Sequence, residues 1–449
     1  MKNPLGGYLM KKIWDIVIVG GGLAGYVAAN HLMNTNLSIL ILEKGKSVGG
    51  RASTNKMNGQ YFNLGPHALY KKGKARYILE DLGIHLNGKP PKLGGTLVEN
   101  NIEYAAPFSP FEIFTTRLLH SKERMEWIAV LWKVMSIDPE KLAKQTFQQW
   151  VNQITQSKTI ESLLYTLGRL ATYCHAPERM SAKVMALHLK NAMGGVLYLD
   201  GGWQTIIDQL HNKAIVSGVH VQPHTLVKQI ERDRQQDPFK FVLSSGEEIL
   251  GKYVICTSGP HELIHLLGKK ASLPIRDFFA QIRPVKGATL DVALSQLPNP
   301  KNLFAMGITE PLYYSVHSTC ACLSDHTKNA ILHVFKYHHP EELIDGPRVK
   351  NELEQFLDRL QPDWQQHVIS RRFIPDITVN QRLPQIGDEL KLQRSKTEIP
   401  GLYIAGDWAS PHWILADGAV SSGKQAAEEI ILNEERKNSA NYDGRVPAI

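Results

Sequence analysis

Apolar positions along the chain follow two patterns. Residues 14–19, WDIVIV, and 37–42, LSILIL, are short, continuous and rich in β-branched side chains, as strands buried on both faces should be. Between them Ala24, Val27, Ala28 and Leu32 recur at helical spacing, which predicts a helix over 22–34. From residue 219, VHVQPHTLVKQIERD, KFVLSSGEEI and YVICTSG predict strands, with a turn at Ser245-Gly246. Helical periodicity dominates 73–195, in ARYILEDLGIHL, ERMEWIAVLWKVM, PEKLAKQTFQQWVNQI and ESLLYTLGRLATYC. Asp138-Pro139-Glu140 reads as a helix start. Within 283–337 the pattern changes to ATLDVAL, EPLYYSVHS and AILHVFKYHH, read as antiparallel strands, and NELEQFLDRL at 351–360 returns to helix. Only one ring of the neighbouring pair Tyr313 and Tyr314 can face a given side of its strand. Residues 401–405 predict a last strand and 418–431 a last helix.

These elements predict an α/β (α+β overall) chain with interleaved domains. A Rossmann-like dinucleotide-binding domain takes 12–72, 196–262 and 385–435. A substrate-binding domain takes 73–195, its helical part, and 263–384, its antiparallel-sheet part. The length of 449 residues suits two or three domains, and 43% hydrophobic residues suffice for a large core. A net charge of +8 spread over this length reads as solvated surface, which argues against nucleic acid as a partner. It leaves room for peripheral association of a basic face with anionic lipid. No run of 18 apolar residues occurs, so no membrane span is expected. Residues 1–12, MKNPLGGYLMKK, lack the apolar core of a secretory leader, and a cytoplasmic location is expected. Cys174, Cys256, Cys320 and Cys322 lack zinc or redox spacing and read as buried thiols. His338-His339 lacks companion ligands and reads as a solvated pair; no metal site is expected.

The chemistry-bearing stretch is 17–54, VIVGGGLAGYVAANHLMNTNLSILILEKGKSVGGRAST. Gly20, Gly22 and Gly25 fit G-x-G-x-x-G between a strand and a helix. Gly20 makes the tight turn, Gly22 admits a pyrophosphate to the backbone, and Gly25 lets helix and strand pack closely. The helix start, Leu23 and Ala24, presents N–H groups and a partial positive charge to the phosphates. Glu43, with Lys44 beside it, closes the second strand where an acid accepts from a ribose. No second complete G-x-G-x-x-G occurs, so no separate NAD(P) domain is expected.

Beyond the acid, Gly49-Gly50-Arg51 is more than a nicotinamide site needs. With it, the stretch resembles the flavoproteins that include amine oxidases, carotenoid and phytoene desaturases, and protoporphyrinogen oxidase. The resemblance implies FAD, with Arg51 beside its pyrophosphate and Gly65-Pro66-His67 near the flavin ring. It recurs at GGWQTIIDQL (201–210), in the strands after 219 with a backbone contact near Val227 to the adenine, and in 400–431, PGLYIAGDWASPHWILADGAVSSGKQAAEEII. In the last segment it implies that Gly406-Asp407 holds FAD hydroxyl or phosphate groups. Gly418-Ala419-Val420 would then point a helix N-terminus at the flavin. No cysteine lies in 401–431, and His67 reads as a packing or hydrogen-bonding group, so noncovalent FAD is expected.

Catalytic residues are not defined, because FAD carries the chemistry. Pocket candidates are His67, His412, Trp413 and Leu415. Amine oxidases of the family carry a lysine on a substrate-domain strand and an aromatic residue before the C-terminal Gly-Ala pair. Here Asp291 and Leu415 take those places, closer to the desaturase-like branch. The expected function is an FAD-dependent oxidoreductase moving hydride from a C–H bond of a largely apolar substrate to flavin N5, with oxygen or a quinone as acceptor. Leu415 and Ala416 are expected on an apolar wall, and Asp417 is expected to cap the helix from Gly418. An amine oxidase is the alternative enzyme. A non-catalytic escort protein of the same fold is the alternative of another class.

Overall fold

The computed structural model describes residues 12–92, 94–268 and 273–443; the leader region read in 1–12 falls outside these up to residue 11. The opening strand is Ile13–Val19, with Ile16, Val17 and Ile18 fully buried. It pairs in parallel with Ile39–Leu42 on one side and with Glu248–Cys256 on the other. His220–Gln222 extends the sheet in parallel beyond Ile39–Leu42. The free edge of Glu248–Cys256 is shared. Phe239–Leu243 pairs antiparallel with its first half, and Leu402–Ile404 pairs parallel with its second half. Val227–Glu231 completes this seven-stranded sheet. The turn between Phe239–Leu243 and Glu248–Cys256 places Gly246 at φ +84°, as a hairpin turn requires.

One face of the sheet carries the helices Leu23–Leu32, Gln204–Val216 and Leu415–Asp443, which with Lys74–Asp81 enclose a common core. Leu23–Leu32 is buried almost all round rather than along one stripe, because two longer helices cover it. The other face packs the helix Pro260–Leu267 and Trp408. Here β-branched strands, buried on both sides, account for the continuous apolar runs of the sequence.

A second seven-stranded sheet runs Val368–Asn380, Val285–Leu294, Ala330–Tyr337, Leu312–Val316, Phe304–Gly307, Thr96–Glu99, Ile102–Ala105. All neighbours are antiparallel except Phe304–Gly307 with Thr96–Glu99. One face packs the helical layer that includes Ser121–Ser136, Phe147–Ile154, Lys158–Thr172 and Ala182–Met193. The other packs Gly346–Leu360. Tyr313 and Tyr314 divide accordingly: Tyr313 faces the helical layer, and Tyr314 turns away to donate to the Asn302 carbonyl.

Several local expectations need correction. Asp138 does cap a start, accepting from Glu140 N, but the segment is a 3-10 turn, Pro139–Leu142, and the α-helix begins only at Phe147 behind the Thr146 cap. Cys174 and Cys256 are buried, and burial pushes both thiols up to about 12; Cys320 is half-buried and Cys322 exposed. His338 is not solvated: it is buried, facing the Pro375 carbonyl and Glu342. His339 faces Glu178 at 3.2 Å.

Candidate active site

The C-terminal ends of the parallel strands open into a cavity of about 1660 Å³. That exceeds the ~300–1,000 Å³ of an ordinary small-molecule pocket and suits a dinucleotide together with a substrate. Gly20, Gly22, Leu23, Ala24, Glu43, Lys44, Gly49, Gly50, Arg51, Pro66, His67, Val227, Gly406, Asp407, Leu415 and Ala419 all line it. Residues far apart in sequence therefore meet on one wall.

The glycine turn is shaped for an anion. A Cβ on Gly22 would meet only the Gly49 carbonyl, at 3.9 Å, so this side of the turn is open. The helix Leu23–Leu32 has no side-chain cap and no acid in its first turn, which leaves its first N–H groups free for phosphate oxygens. Gly25 does the other job: its Cβ would sit 2.2 Å from the Gly20 carbonyl, so helix and turn touch there, away from the cavity. Glu43 braces the turn, accepting from Gly21 N at 2.7 Å and Gly45 N at 2.6 Å. An ionised carboxylate offers about four acceptor sites, so capacity remains for ribose hydroxyls.

Arg51 does not stand alone beside a phosphate. Its guanidinium forks onto Asp407 at 2.5 and 2.8 Å and donates to the Val379 carbonyl at 3.0 Å. Asp407 also accepts from Gln381 N at 2.9 Å. The pair joins the first and last segments of the wall, and the side chain of Arg51 stays 40% exposed toward the cavity. His67 contacts the Gly65 and Arg51 carbonyls at 3.1 Å and packs edge-on against Trp203. Burial pushes its pKa down to about 4, so the ring is neutral.

Six expected residues lie off the wall. Gly25 and Gly65 pack behind it, Gly65 against Ile377 and Thr289. The last helix begins at Leu415, not Gly418. Gly418 is therefore tucked against the Asp407 and Trp413 carbonyls, Val420 enters the core, and only Ala419 of the three reaches the cavity. Trp413 packs on His188, and half-buried His412 sits outside the cavity wall. Asp417 lines the wall but caps a different helix from the one expected. Its carboxylate accepts from Ala75 N at 2.8 Å, at the start of Lys74–Asp81, and from Asn191 Nδ2 at 3.1 Å. Burial pushes its pKa up to about 6.

Asp291, the residue at the expected lysine position, also turns away from the cavity. It is fully buried, bonded to His333 Nδ1 at 2.6 Å, Thr289 Oγ1 at 2.7 Å and Arg372 Nε at 3.0 Å. Burial pushes its carboxyl up, but His333 and Arg372 outweigh this and hold it below the usual range. Lys286, on the same strand, pairs with Asp376 outside the cavity.

Wall residues that the sequence did not single out are Thr257, Ser258 and Gly259, at the end of Glu248–Cys256, and the aromatic group Tyr70, Tyr173, Tyr198, Phe335 and Tyr337. Their position after a central parallel strand is the signal that marks the first three. Tyr173, Phe335 and Tyr337 pack on one another at 5.1–5.9 Å between centroids. Burial raises the Tyr70, Tyr173, Tyr198, Tyr313 and Tyr337 hydroxyls, so all are neutral phenols. Among the described residues no group of three metal-ligating side chains occurs, and no helix is long and apolar enough to cross a membrane.

The glycine turn at the strand ends continues into an aromatic chamber, and a match to a family profile makes the chain a flavin-dependent oxidoreductase. The profile of flavin containing amine oxidoreductases matches residues 23–431, and the chain belongs to that family. It is similar to 15-cis-phytoene desaturase of an Oncidium hybrid cultivar, 21% identical over 95% of this chain and 79% of that protein. Protoporphyrinogen oxidase 2 of Arabidopsis thaliana is 24% identical over 31% of this chain and 29% of its own. Cyclohexylamine oxidase from Brevibacterium oxydans shares the fold at a TM-score of 0.70 and 15% identity, covering 94% of this chain and all (100%) of its own.

Proposed function

We propose that the protein holds FAD noncovalently and oxidises a C–H bond of a largely apolar organic substrate, as a dehydrogenase or desaturase. Bound FAD supplies the hydride acceptor at N5 and hands the electron pair to an acceptor such as oxygen or a quinone. The chain's part is to bind and orient. In this reading the open Gly20–Gly22 turn and the uncapped helix behind it take the pyrophosphate, and Glu43 and the Val227 backbone take the adenosine half. Arg51, fixed by Asp407, turns its remaining N–H groups to phosphate. His67 is neutral, so only one of its ring nitrogens donates to the flanking Gly65 and Arg51 carbonyls, and its place against them and Trp203 supports packing rather than a covalent bond.

The observation that carries the substrate reading is the chamber wall. Leu415, Ala416, Phe335 and neutral phenols face it, while no lysine comes from Val285–Leu294. Tyr173 and Tyr337 each pack edge-to-face on Phe335 and lie tilted on one another, rather than standing apart as two walls of a cage for an ammonium group. Asp417, a buried carboxylate there, is spent on a helix N-terminus, and Glu112 is the lining carboxylate that keeps one oxygen unpartnered. Such a wall binds by area, at about 25 cal/mol per Å² buried. Anaerobic mixing with polyenes and other lipids against a panel of primary amines, followed at the flavin absorbance, tests this. Bleaching by the apolar panel is expected; bleaching by amines alone overturns it in favour of amine oxidation.

A further inference from the structure

The helix Ser121–Ser136 buries Trp127, Val130 and Val134, yet it is apolar on a second face as well. Met125, Ile128, Trp132 and Met135 are 63, 36, 72 and 45% exposed. At ~100° per residue these four fall within about 80° of one another, on the flank away from the buried stripe. The short helix Pro110–Thr115 lies alongside, held through Arg124 to the Thr116 carbonyl and Trp127 to the Pro107 carbonyl. It adds Phe111 and Phe114, 73 and 54% exposed. Six large apolar side chains on two neighbouring helices exceed the scattered singles of an ordinary surface.

Charge around this face is one-sided. Arg117, Lys122 and Lys133 are exposed and form no ion pair among the described residues. Of the nearby acids, Glu123 accepts from Ser157, Glu126 from Thr155 and Glu140 pairs with Lys183, while Glu112 lies on the cavity side with one oxygen unpartnered. A tryptophan among aliphatic side chains, bordered by free cations, is the composition of a helix lying in a bilayer interface. The face also adjoins the chamber, because Phe108 and Glu112, next to and within Pro110–Thr115, line the cavity.

We propose that this face docks on an anionic lipid bilayer, with Phe111, Phe114 and Trp132 entering the headgroup boundary and the chamber opening beside it. The argument from the cavity rests on the apolar-substrate reading; the argument from the face does not. The test is flotation of the flavin-loaded protein with phosphatidylcholine vesicles, with and without phosphatidylglycerol. Flotation with the anionic vesicles is expected, weakened by salt. It should be lost in Met125→Glu/Trp132→Glu, and the preference for anionic vesicles should be lost in Lys122→Glu/Lys133→Glu. Both double variants change exposed side chains and should keep the wild-type flavin spectrum and melting temperature. Wild-type protein that fails to float overturns the proposal, as does a Met125→Glu/Trp132→Glu protein that floats normally. So does a wild-type dimer that this variant splits, since the face would then join two copies. Flotation needs no turnover, so an inactive substrate panel and a failed flotation are separate results.

Discussion

Two glycines of one motif should fail in opposite ways. Gly22 sits at φ −86° and ψ −173°, which any residue adopts, and its Cβ would have open space to the nearest atom at 3.9 Å. Replacement by alanine gains about 0.4–1 kcal/mol by stiffening the unfolded chain. It loses a similar amount because alanine is a poor N-cap. The cofactor-free protein should thus keep its stability to within about 0.5 kcal/mol, the difference of those two terms. The space the side chain fills is where the phosphates would lie, so Gly22→Val should fold and hold no flavin. Gly25 is the reverse. Its Cβ would stand 2.2 Å from the Gly20 carbonyl and 3.3 Å from Ile18 Cγ2. Alanine gains ~1 kcal/mol in helix propensity, but an overlap with backbone moves the helix off the turn, at a cost of about 3 kcal/mol or more, the upper end for overpacking. Gly25→Ala should therefore lower the urea midpoint of the cofactor-free protein and weaken flavin retention only as a consequence. Urea unfolding by circular dichroism and flavin absorbance after gel filtration read the two effects separately. A flavin-loaded Gly22→Val, or a Gly25→Ala protein with the wild-type midpoint, refutes the division of labour.

Three further outcomes are expected. Arg51→Lys keeps the charge but not the fork onto Asp407, and should cost about 1.5 kcal/mol, the low end for a charge-assisted bond because the side chain is partly open; a lowered urea midpoint and faster flavin loss on dialysis check this. Arg372→Met leaves Asp291 buried with less compensation and should destabilise by about 3–5 kcal/mol, read as a fall in melting temperature. Asp417 has a folded pKa of about 6, above its ordinary 3.8. Its protonated form therefore stabilises the fold below pH ~4, and about 3 kcal/mol of that is lost as pH rises through 6. Asp417→Asn cannot titrate, so its stability relative to wild type should climb between pH 4 and 7; a flat difference rejects the burial argument.

Much of the nucleotide side was readable because its signals are local. The strand at 14–19, the glycine turn and Glu43 occupy some thirty consecutive positions, and each constrains its neighbours through backbone geometry alone. The strand Val368–Asn380 was not assigned. It breaks period two with three register shifts and carries Pro375, so neither alternation nor propensity marks it. Asp417 was recognised as a cap, yet its partner is 342 residues away. No spacing rule reaches that far, and the nearer helix was the natural choice. The turn of Asp291 away from the cavity was hidden for a different reason: on a strand buried along almost its whole length, parity does not tell the cavity face from the other. The bilayer-like face around Trp132 passed as an ordinary amphipathic helix, since periodicity locates apolar stripes without telling which one is covered.

The Arg51–Asp407 clasp also sets an order of events during synthesis. The two residues are 356 positions apart. At ~5–20 residues per second, Arg51 leaves the ribosome roughly 20–70 s before its partner exists. Once Glu248–Cys256 has been made, its edge that later receives Leu402–Ile404 stays unpaired until that strand follows, and the cradle has no closing wall. A nascent chain can display the glycine turn early, but it has no finished pocket to offer a nucleotide. The finished pocket thus waits for the last segment of the chain, whose strand then closes that edge whether or not a nucleotide is present.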